Sequence, residues 1–563
     1  YSLLGLGEYD KAIDLAKKAK RKDARNKVQY QIDEAYVHII SGNASKGYKV
    51  FDNAIKSVQP KQLEITLLAS SFVRLHENKY AIKTYLKGRE LLNDKKLYCV
   101  ELSDCYFKEK EYKKSVKELV DFAMYNPKMI NLVYTKLERY MDNDADGMVT
   151  SAIREELMLL TREFPNSSIY SDLMLWFSLQ DGDFDLAFLQ VKASDKRNDE
   201  EGFNVLEFAL VCCQNGAYKI AQDAYNYVIA EYSKDNAASV LLAQIGLVDL
   251  EYELLQLNEN YDMETVRDLD AKFTSLLKET EISVDMYSTV VNSANLKAFY
   301  LKDYQGAIDV LAQLLEKCRR AADVANIKLA MGDIYLSSGD PWEAILLYSQ
   351  VEKLLKDEPL GHEAKYRNAL VSYYIGEFNW AAAKLDVLKA STEKLIANDA
   401  MKLSMFIKDN QDEDSVSLPL QLFAKADLAI FNKQYDLAFQ YLDSASNVNA
   451  WSVIEDDALM RKAEILVKKH KYKEADSVLS IIGEKYSDEM LADEALFTRA
   501  YINDAFLNDN TLAEELYMKV VLDYPDSIFA IAARDNYRRL RGDENVRTIE
   551  PNDEIIYVPI FKK

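Results

Sequence analysis

The chain has 563 residues, of which only 17 are glycine and 9 are proline. This length exceeds what one compact core supports, so the chain forms several domains or one elongated array, joined by short turns. Its net charge of −22 repels nucleic-acid phosphates and anionic membrane surfaces at long range. These properties exclude nucleic acid as an expected partner and favour basic or neutral protein surfaces.

The sequence offers no motif for catalysis or for a cofactor. Its five cysteines include no CxxC pair and are interpreted as small core residues. None of the four histidines belongs to an HExxH motif, and neither a phosphate-binding glycine loop nor a GxSxG elbow is present. The sequence contains no run of about 18 apolar residues, which is the length needed to span a bilayer. We therefore predict a protein that is not an enzyme and that could be tethered to a membrane only through sequence upstream of Tyr1.

Taken in chain order, the sequence repeats one unit of a helix, a turn and a second helix. A small residue follows the turn of each unit and recurs about every 34 to 38 residues, with two longer gaps. We call these small residues the anchors. They are Ala12, Gly47, Ala81, Ser115, Ala152, Ala187, Ala221, Ala307, Ala344, Ala381, Ala438, Ala475 and Ala513.

Two further columns keep the same phase. Three residues before the anchor stands an aromatic residue, and twelve before it stands a small residue that lets two helices approach closely. The aromatic column holds Tyr9, Tyr112, Phe184, Tyr218, Tyr304, Phe378, Tyr435 and Tyr472. The small column holds Ala35, Ala69, Ser103, Ala209, Gly332, Ala369, Ala426 and Ala463.

These columns resemble tetratricopeptide repeats (TPRs), for example in residues 102–127, 331–351 and 462–482. The resemblance implies an all-α fold, an α-solenoid of about 13–14 TPR-like helical hairpins in a right-handed superhelix, with a short extended C-terminal tail. We divide the chain into an N-terminal TPR array (1–235), a long-helix hairpin that joins the arrays (236–282), a C-terminal TPR array (283–542) and an extended tail (543–563). The joining helices are predicted at 237–258 and 263–280, and an additional helix at 392–408.

The tail, residues 550–563, reads EPNDEIIYVPIFKK and is rich in residues that favour extended structure. Two interpretations remain open. The tail packs over the last hairpin and covers its apolar face, or it adds as a strand to the sheet of a partner. In either case the candidate contact residues are Ile556, Tyr557, Val558 and Phe561.

One loop resembles half of a calcium site. In DNDADGMVT the carboxylates of Asp142, Asp144 and Asp146 alternate and Gly147 follows, as in an EF-hand or dockerin-type loop. Position twelve, where a glutamate should complete the coordination shell, is Ile153. The loop is therefore either a hydrated turn with helix-capping aspartates or a weak calcium site, and no other cofactor is expected.

Acidic residues recur on the first helix of several hairpins. In TPR arrays this helix lines the binding face, and eleven residues before the anchors stand Asp104, Asp333, Asp427 and Glu464. The column lacks the lysine and asparagine pair with which chaperone-binding TPRs hold a peptide carboxylate. We predict either an acidic groove for a basic or polar protein segment or simply a solvated face.

The closing repeat contains Tyr524-Pro525-Asp526-Ser527 followed by Ala530, Ala533 and Arg534. These residues are similar to those of bacterial cell-envelope TPR proteins, particularly the BamD family of outer-membrane assembly lipoproteins and the periplasmic TPR coordinators. The resemblance implies a non-enzymatic scaffold that is periplasmic, associated with the outer membrane, and part of an assembly or secretion machine. A cytoplasmic TPR adaptor or regulatory protein is the alternative.

Overall fold

The computed structural model describes residues 6–23, 27–142, 144, 146–233, 236–258, 261–389, 394–411, 417–448 and 454–543. Within these ranges all regular secondary structure is helical, which confirms the all-α prediction. The chain divides into two compact units, Tyr1–Leu247 and Val248–Lys563. The division falls inside one helix of the predicted joining hairpin.

The first unit consists of helices that pack in consecutive pairs. Its helices are α1 (Tyr9–Lys22), α2 (Lys27–Ile40), α3 (Ala44–Ser57), α4 (Gln62–Arg74), α5 (Asn78–Leu92), α6 (Cys99–Lys108), α7 (Tyr112–Tyr125), α8 (Ile130–Met141), α9 (Met148–Glu163), α10 (Ser168–Gln180), α11 (Phe184–Asn198), α12 (Phe203–Gln214), α13 (Tyr218–Tyr232) and the start of α14 (Ala237–Leu257).

The second unit continues the same arrangement. After the end of α14 its helices are α15 (Met263–Glu279), α16 (Tyr287–Asn295), α17 (Tyr304–Lys317), α18 (Ala321–Ser338), α19 (Pro341–Leu354), α20 (Pro359–Tyr374), α21 (Phe378–Leu388), α22 (Lys394–Asp409), α23 (Leu418–Phe431), α24 (Tyr435–Ser446), α25 (Glu455–Lys468), α26 (Tyr472–Lys485), α27 (Ala492–Ile502), α28 (Asn510–Asp523) and α29 (Ala530–Arg541).

A left-handed residue closes the turn inside each hairpin, five residues before the anchor. At His470, for example, φ is 53°, its amide donates to Val467 O over 2.9 Å, and the amide of Lys471 donates to Leu466 O over 2.9 Å. This paired hydrogen bonding ends the first helix and turns the chain into the second. Glycine fills the position in several copies, but lysine, histidine or asparagine fills it in others. The residues with positive φ at this position are Gly7, Gly42, His76, Lys110, Gly147, Gly182, Gly216, Lys302, Gly339, Gly376, Lys433, His470 and Asn508.

The two small columns lie where the helices of a hairpin cross. Nearly all the anchors are buried, and Ala475 and Ala513 have no exposed surface. The close approach is sharpest at Gly332, where an added Cβ would lie 2.4 Å from Cε1 of Tyr348. Each aromatic residue of the third column is the first residue of a second helix. The columns therefore mark the crossing point of each hairpin, as the spacing predicts.

The longer gaps between anchors contain the predicted additional helices. Helices α14 and α15 occupy the first gap and α22 the second, within two residues of the predicted bounds. Although α22 lies between them in the chain, α20 and α23, which are the first helices of consecutive hairpins, pack directly against each other. The extended tail predicted at 543–563 lies outside the described residues apart from Asp543.

Two hairpins depart from the common turn in a way the sequence did not indicate. Their first helices end in π-helical turns, Leu296–Leu301 and Asn503–Leu507. There the hydrogen bond that closes the turn spans one more residue, from the Asp303 amide to Lys297 O and from the Asp509 amide to Asn503 O. The additional residue moves the small buried residue of the first helix one position further from the anchor, to Ala294 and Ala500, while the left-handed residue stays five positions before the anchor.

Cys99, Cys105, Cys212 and Cys318 are free and buried, so the interpretation as small core residues is confirmed for these four. Burial raises the pKa of Cys212 to about 12, which keeps this thiol protonated and unreactive. No helix in the described part of the chain is both long and apolar enough to cross a membrane.

The left-handed turn predicts that a glycine-to-alanine substitution changes the free energy of unfolding in opposite directions at two positions. Gly376→Ala places a side chain at φ 85° and should lower the free energy of unfolding by about 1 kcal/mol. Gly483→Ala lies in the last turns of α26 with open space around its Cβ position and should raise it by about 0.5 kcal/mol. Urea unfolding followed by circular dichroism measures both variants. Equal shifts in the same direction would contradict the assigned role of the turn.

Candidate partner-binding groove

The four predicted acidic residues lie on first helices, Asp104 on α6, Asp333 on α18, Asp427 on α23 and Glu464 on α25. Side-chain exposure is 43% for Asp104 but only 25%, 14% and 21% for Asp333, Asp427 and Glu464. Solvent therefore reaches these carboxylates, although the three in the second unit are largely covered.

Each aspartate of the column pairs with a basic residue from the first helix of the next hairpin. Lys136 Nζ donates to Asp104 Oδ1 over 2.6 Å, and Arg367 Nη1 donates to Asp333 Oδ2 over 2.6 Å. Arg461 Nε lies 3.0 Å from Asp427 Oδ1. The ion pairs Asp33–Arg74 and Asp504–Arg539 link further pairs of first helices in the same way. We call these contacts the inter-hairpin ion pairs.

In the second unit the pairs extend into two equivalent clusters. Arg367 bridges Asp333 and Glu363, since its Nε donates to Glu363 Oε1 over 2.8 Å. The hydroxyl of Tyr348 donates to Asp333 Oδ1 over 2.6 Å. Each of these side chains therefore has at least one strong intramolecular partner.

The second cluster repeats this plan around Arg461. Its Nη1 donates to Glu464 Oε2 over 2.6 Å, so the guanidinium again lies between two carboxylates. The hydroxyl of Tyr373 donates to Asp427 Oδ2 over 2.9 Å. The two clusters together contain four carboxylates and two guanidinium groups, so they keep a negative balance of 4 − 2 = 2 charges.

Tyrosines from α20 lie between the two clusters. Tyr374 packs against Phe431 of α23 with ring centroids 6.4 Å apart, and both Asp333 and Asp427 act electrostatically on Tyr374. Burial raises the pKa of Asp333 and of Asp427, and their arginine partners offset only part of that rise. We call the two clusters together with Tyr374 the groove of the second unit; this region is polar in chemistry but poorly hydrated.

The acidic column is thus not a row of free carboxylates. Asp333 and Asp427 join hairpins to each other, and the excess negative charge of the two clusters corresponds to Glu363 and Glu464. A partner-binding role for Asp104, Asp333, Asp427 and Glu464 stays a prediction. The tail candidates Ile556, Tyr557, Val558 and Phe561 lie outside the described residues.

Sequence reasoning missed the two arginines, although a signal for them exists. Arg367 and Arg461 both stand two residues before the small column, at Ala369 and Ala463. In both cases the arginine stands 34 residues after the aspartate with which it forms an inter-hairpin ion pair. Only the structure shows that Tyr374 faces both clusters, because that contact depends on how α20 packs against α23.

Asp144 of the calcium-like loop caps α9. Its carboxylate accepts hydrogen bonds from the amides of Val149 and Thr150 over 2.9 and 2.7 Å and from the Thr150 hydroxyl over 2.7 Å. Burial opposes ionisation of Asp144, but the two amides outweigh it and lower its pKa. Asp146 Oδ1 accepts from the Met148 amide over 3.3 Å. Within the described ranges no three His, Cys, Asp or Glu side chains are placed to hold a metal ion.

No protein-family model and no curated protein sequence matches this chain. Among solved structures it is similar to yeast Tom70, with 14% identity over 88% of this chain and 99% of that chain and a TM-score of 0.28. It is also similar to Naa15/Naa10 bound to HypK-THB, with 11% identity, 98% and 96% coverage and a TM-score of 0.24. A third similar structure is the TPR domain of P58(IPK), with 17% identity, 70% and 99% coverage and a TM-score of 0.19. At such values the similarity concerns the fold alone.

Breaking an inter-hairpin ion pair should cost more than breaking a surface pair. Arg461→Met leaves Asp427 largely covered without its counter-ion and should lower the free energy of unfolding by about 2 kcal/mol. Combining it with Asp427→Asn should recover part of the loss. Lys471→Met, which removes the exposed i,i+3 pair with Glu474, should change stability by less than about 0.5 kcal/mol. Urea unfolding of the three variants and the natural chain tests this order.

Asp457 at the start of α25 should make stability depend on pH. Burial, then the nearby Asp456, raises its pKa to about 7, although the side chain of Asn410 and the charge of Arg461 oppose the rise, and Asp409 adds to it. Above its unfolded pKa of about 3.9 the native state holds the proton more tightly, so stability falls as pH rises towards 7.

Asp457→Asn should therefore raise the melting temperature clearly at pH 8 and hardly at pH 4. Glu484→Gln on the exposed side of α26 is the matched control and should show no such dependence. A gain from Asp457→Asn that is the same at both pH values would contradict the assignment.

The calcium interpretation of the loop gives its own prediction. If the loop binds calcium, the ion should raise the melting temperature of the natural chain but not of Asp142→Asn/Asp146→Asn, in which Asp144 still caps α9. If calorimetric titration with calcium shows no heat and calcium does not change the melting temperature, only the capping role remains. Asp144→Ala should lower stability by about 1 kcal/mol with or without calcium.

Proposed function

We propose that this chain is a non-enzymatic scaffold that binds other proteins, and that the groove on its second unit is one of the surfaces that do so. The observation that supports this is the arrangement of the Arg367 and Arg461 clusters. They place partly exposed charged groups beside the partly exposed ring of Tyr374, and they keep an excess of carboxylates. Such a surface fits a basic or polar segment of a partner.

The excess charge suggests how the partner is held. Glu363 and Glu464 each share an arginine with an aspartate, so a lysine or arginine of the partner can approach the glutamate without breaking the ion pair between hairpins. The aspartates keep the groove in shape while the glutamates contact the partner. Association should therefore weaken as salt rises.

The finer proposal is that the protein works in a bacterial cell envelope. It would be periplasmic, associated with the outer membrane, and would hold parts of an outer-membrane assembly or secretion machine. Its support is the similarity of Tyr524 to Ser527 and the following alanines to envelope TPR proteins. In the structure Tyr524 donates its hydroxyl to Ser487 O over 2.7 Å, and Ala530 and Ala533 are buried, so these residues also have a packing role.

A cytoplasmic TPR adaptor is the second candidate, favoured by the free cysteines, which suit a reducing compartment. The sequence upstream of Tyr1 separates the two proposals. A secretory signal that ends in a lipidated cysteine supports the envelope role, and a methionine start near Tyr1 supports the cytoplasmic role. Fractionation of native cells gives an independent answer.

Gentle purification from native membranes and from cytosol, with identification of the proteins that co-purify, tests the scaffold role. Glu363→Gln/Glu464→Gln should reduce co-purification of the groove partner and its salt dependence, because glutamine keeps the shape of the groove and removes the excess charge. Glu343→Gln/Glu474→Gln changes exposed glutamates elsewhere and should leave it unchanged. Recovery of the natural chain alone from both fractions would count against the scaffold role.

A further inference from the structure

The outer face of the last described helix, α29, differs from the same face one repeat earlier. In α27 that face holds Leu496 and Ala500, which are buried in the core shared with α28. Their equivalents in α29 are Arg534 and Arg538, and both are exposed. A surface that contacts the next element in the preceding repeat is therefore basic here.

These two arginines also lack the partners that their neighbours have. Arg539 pairs with Asp504, and Arg541 pairs with Asp543 over 3.2 Å. Arg534 and Arg538 form no ion pair with any residue in the described part of the chain. In a protein of net charge −22, two adjacent unpaired guanidinium groups on one helix face are a marked local exception.

Four exposed apolar side chains lie on α29, on the turn before it, at the end of α28 and on the turn before α27. Met490, Leu522, Ile528 and Ile531 are 73%, 64%, 80% and 62% exposed. The turn that carries Ile528 is joined to the turn that carries Met490, because the Tyr524 hydroxyl donates a hydrogen bond to Ser487 O. We call these four residues the apolar patch.

At two of its four positions the apolar patch differs from the preceding repeat. One repeat before Leu522 and Ile531 the equivalent residues are Glu484 and Asp493, which are polar, as expected for a solvated position. Four large apolar side chains next to a basic helix face favour an occupant that is acidic at one end and apolar at the other.

We propose that the occupant is the chain's own segment 550–561. This segment places Glu550, Asp553 and Glu554 before a continuous apolar stretch, Ile555 to Phe561. The acidic part would pair with Arg534 and Arg538, and the apolar part would cover the apolar patch. The inference concerns the chain alone and does not depend on the proposed function.

The order of the residues fits this proposal. The segment follows the C-terminal end of α29, so to reach the apolar patch it would have to return along the helix towards the N-terminal end of α29. Moving in that direction it meets first Arg538 and Arg534 and then Ile531 and Ile528, which matches the order of acidic and then apolar residues in the segment.

The lengths also agree. The 12 residues of α29 span about 18 Å at 1.5 Å per residue. Residues 553–561 in extended form reach about 30 Å, which is enough to pass from Arg538 to the apolar patch in the adjacent turn. Residues 543–549 leave a connection long enough for the reversal.

The test uses a chain that ends at Asp543 and a fluorescein-labelled peptide of residues 549–563. The shortened chain should bind the peptide, measured by fluorescence anisotropy, whereas the full chain should bind it at least about tenfold more weakly because its own segment competes. Arg534→Glu/Arg538→Glu in the shortened chain should lose at least about tenfold in affinity. Lys473→Glu/Lys519→Glu, an equal change of charge on α26 and α28, should not.

Hydrogen exchange gives a second measurement that needs no peptide. The amides of residues 528–541 should exchange faster in the shortened chain than in the full chain, and those of α18 to α21 should be unaffected. Absence of peptide binding together with unchanged exchange at 528–541 overturns the proposal. A full chain that is dimeric in light scattering, and monomeric once shortened, would assign the patch to the segment of a second copy and also overturn it.

Discussion

The close crossing of the two helices in each hairpin is the constraint on which the rest of the structure depends. It requires a small residue on each helix at the crossing, such as Gly332 or Ala475, and a turn short enough to bring them together. In most hairpins the left-handed residue five positions before the anchor provides that turn, because it ends the first helix by paired hydrogen bonds. The conformational free energy of the left-handed residue is lowest with glycine, yet lysine and histidine occupy this position where packing fixes the conformation.

Contacts between hairpins have a different physical origin. The apolar core continues from one hairpin to the next, but charged residues near the surface add directed links, of which Asp333–Arg367 and Asp427–Arg461 are the clearest. An ion pair that is partly covered adds little net stability, but its loss leaves an unpaired charge in a poorly hydrated place. These pairs therefore help to define the register between neighbouring hairpins, and they shape the groove on the second unit.

The same groove shows why charge in the sequence differs from charge at a site. A column of acidic residues suggested a strongly negative surface, but each aspartate in it has a basic neighbour from the next repeat. What remains for a partner is the smaller excess contributed by Glu363 and Glu464. Those glutamates lie one turn from the arginines on the same helices, Arg367 on α20 and Arg461 on α25, so they become visible only when the pairs are known.

The sequence by itself determined the all-α fold, the phase of the repeat and the positions of the additional helices, because small and aromatic residues recur at fixed spacing and each hairpin is a local structure. It located Asp333 and Asp427 on first helices for the same reason. The tertiary structure alone decided that these aspartates are paired, that the first helices of two hairpins end in π-helical turns, and that Arg534, Arg538 and the apolar patch are exposed within the described part of the chain. These features depend on contacts between residues about one repeat apart, and periodicity along the chain reports where a side chain stands on its helix but not what lies opposite it.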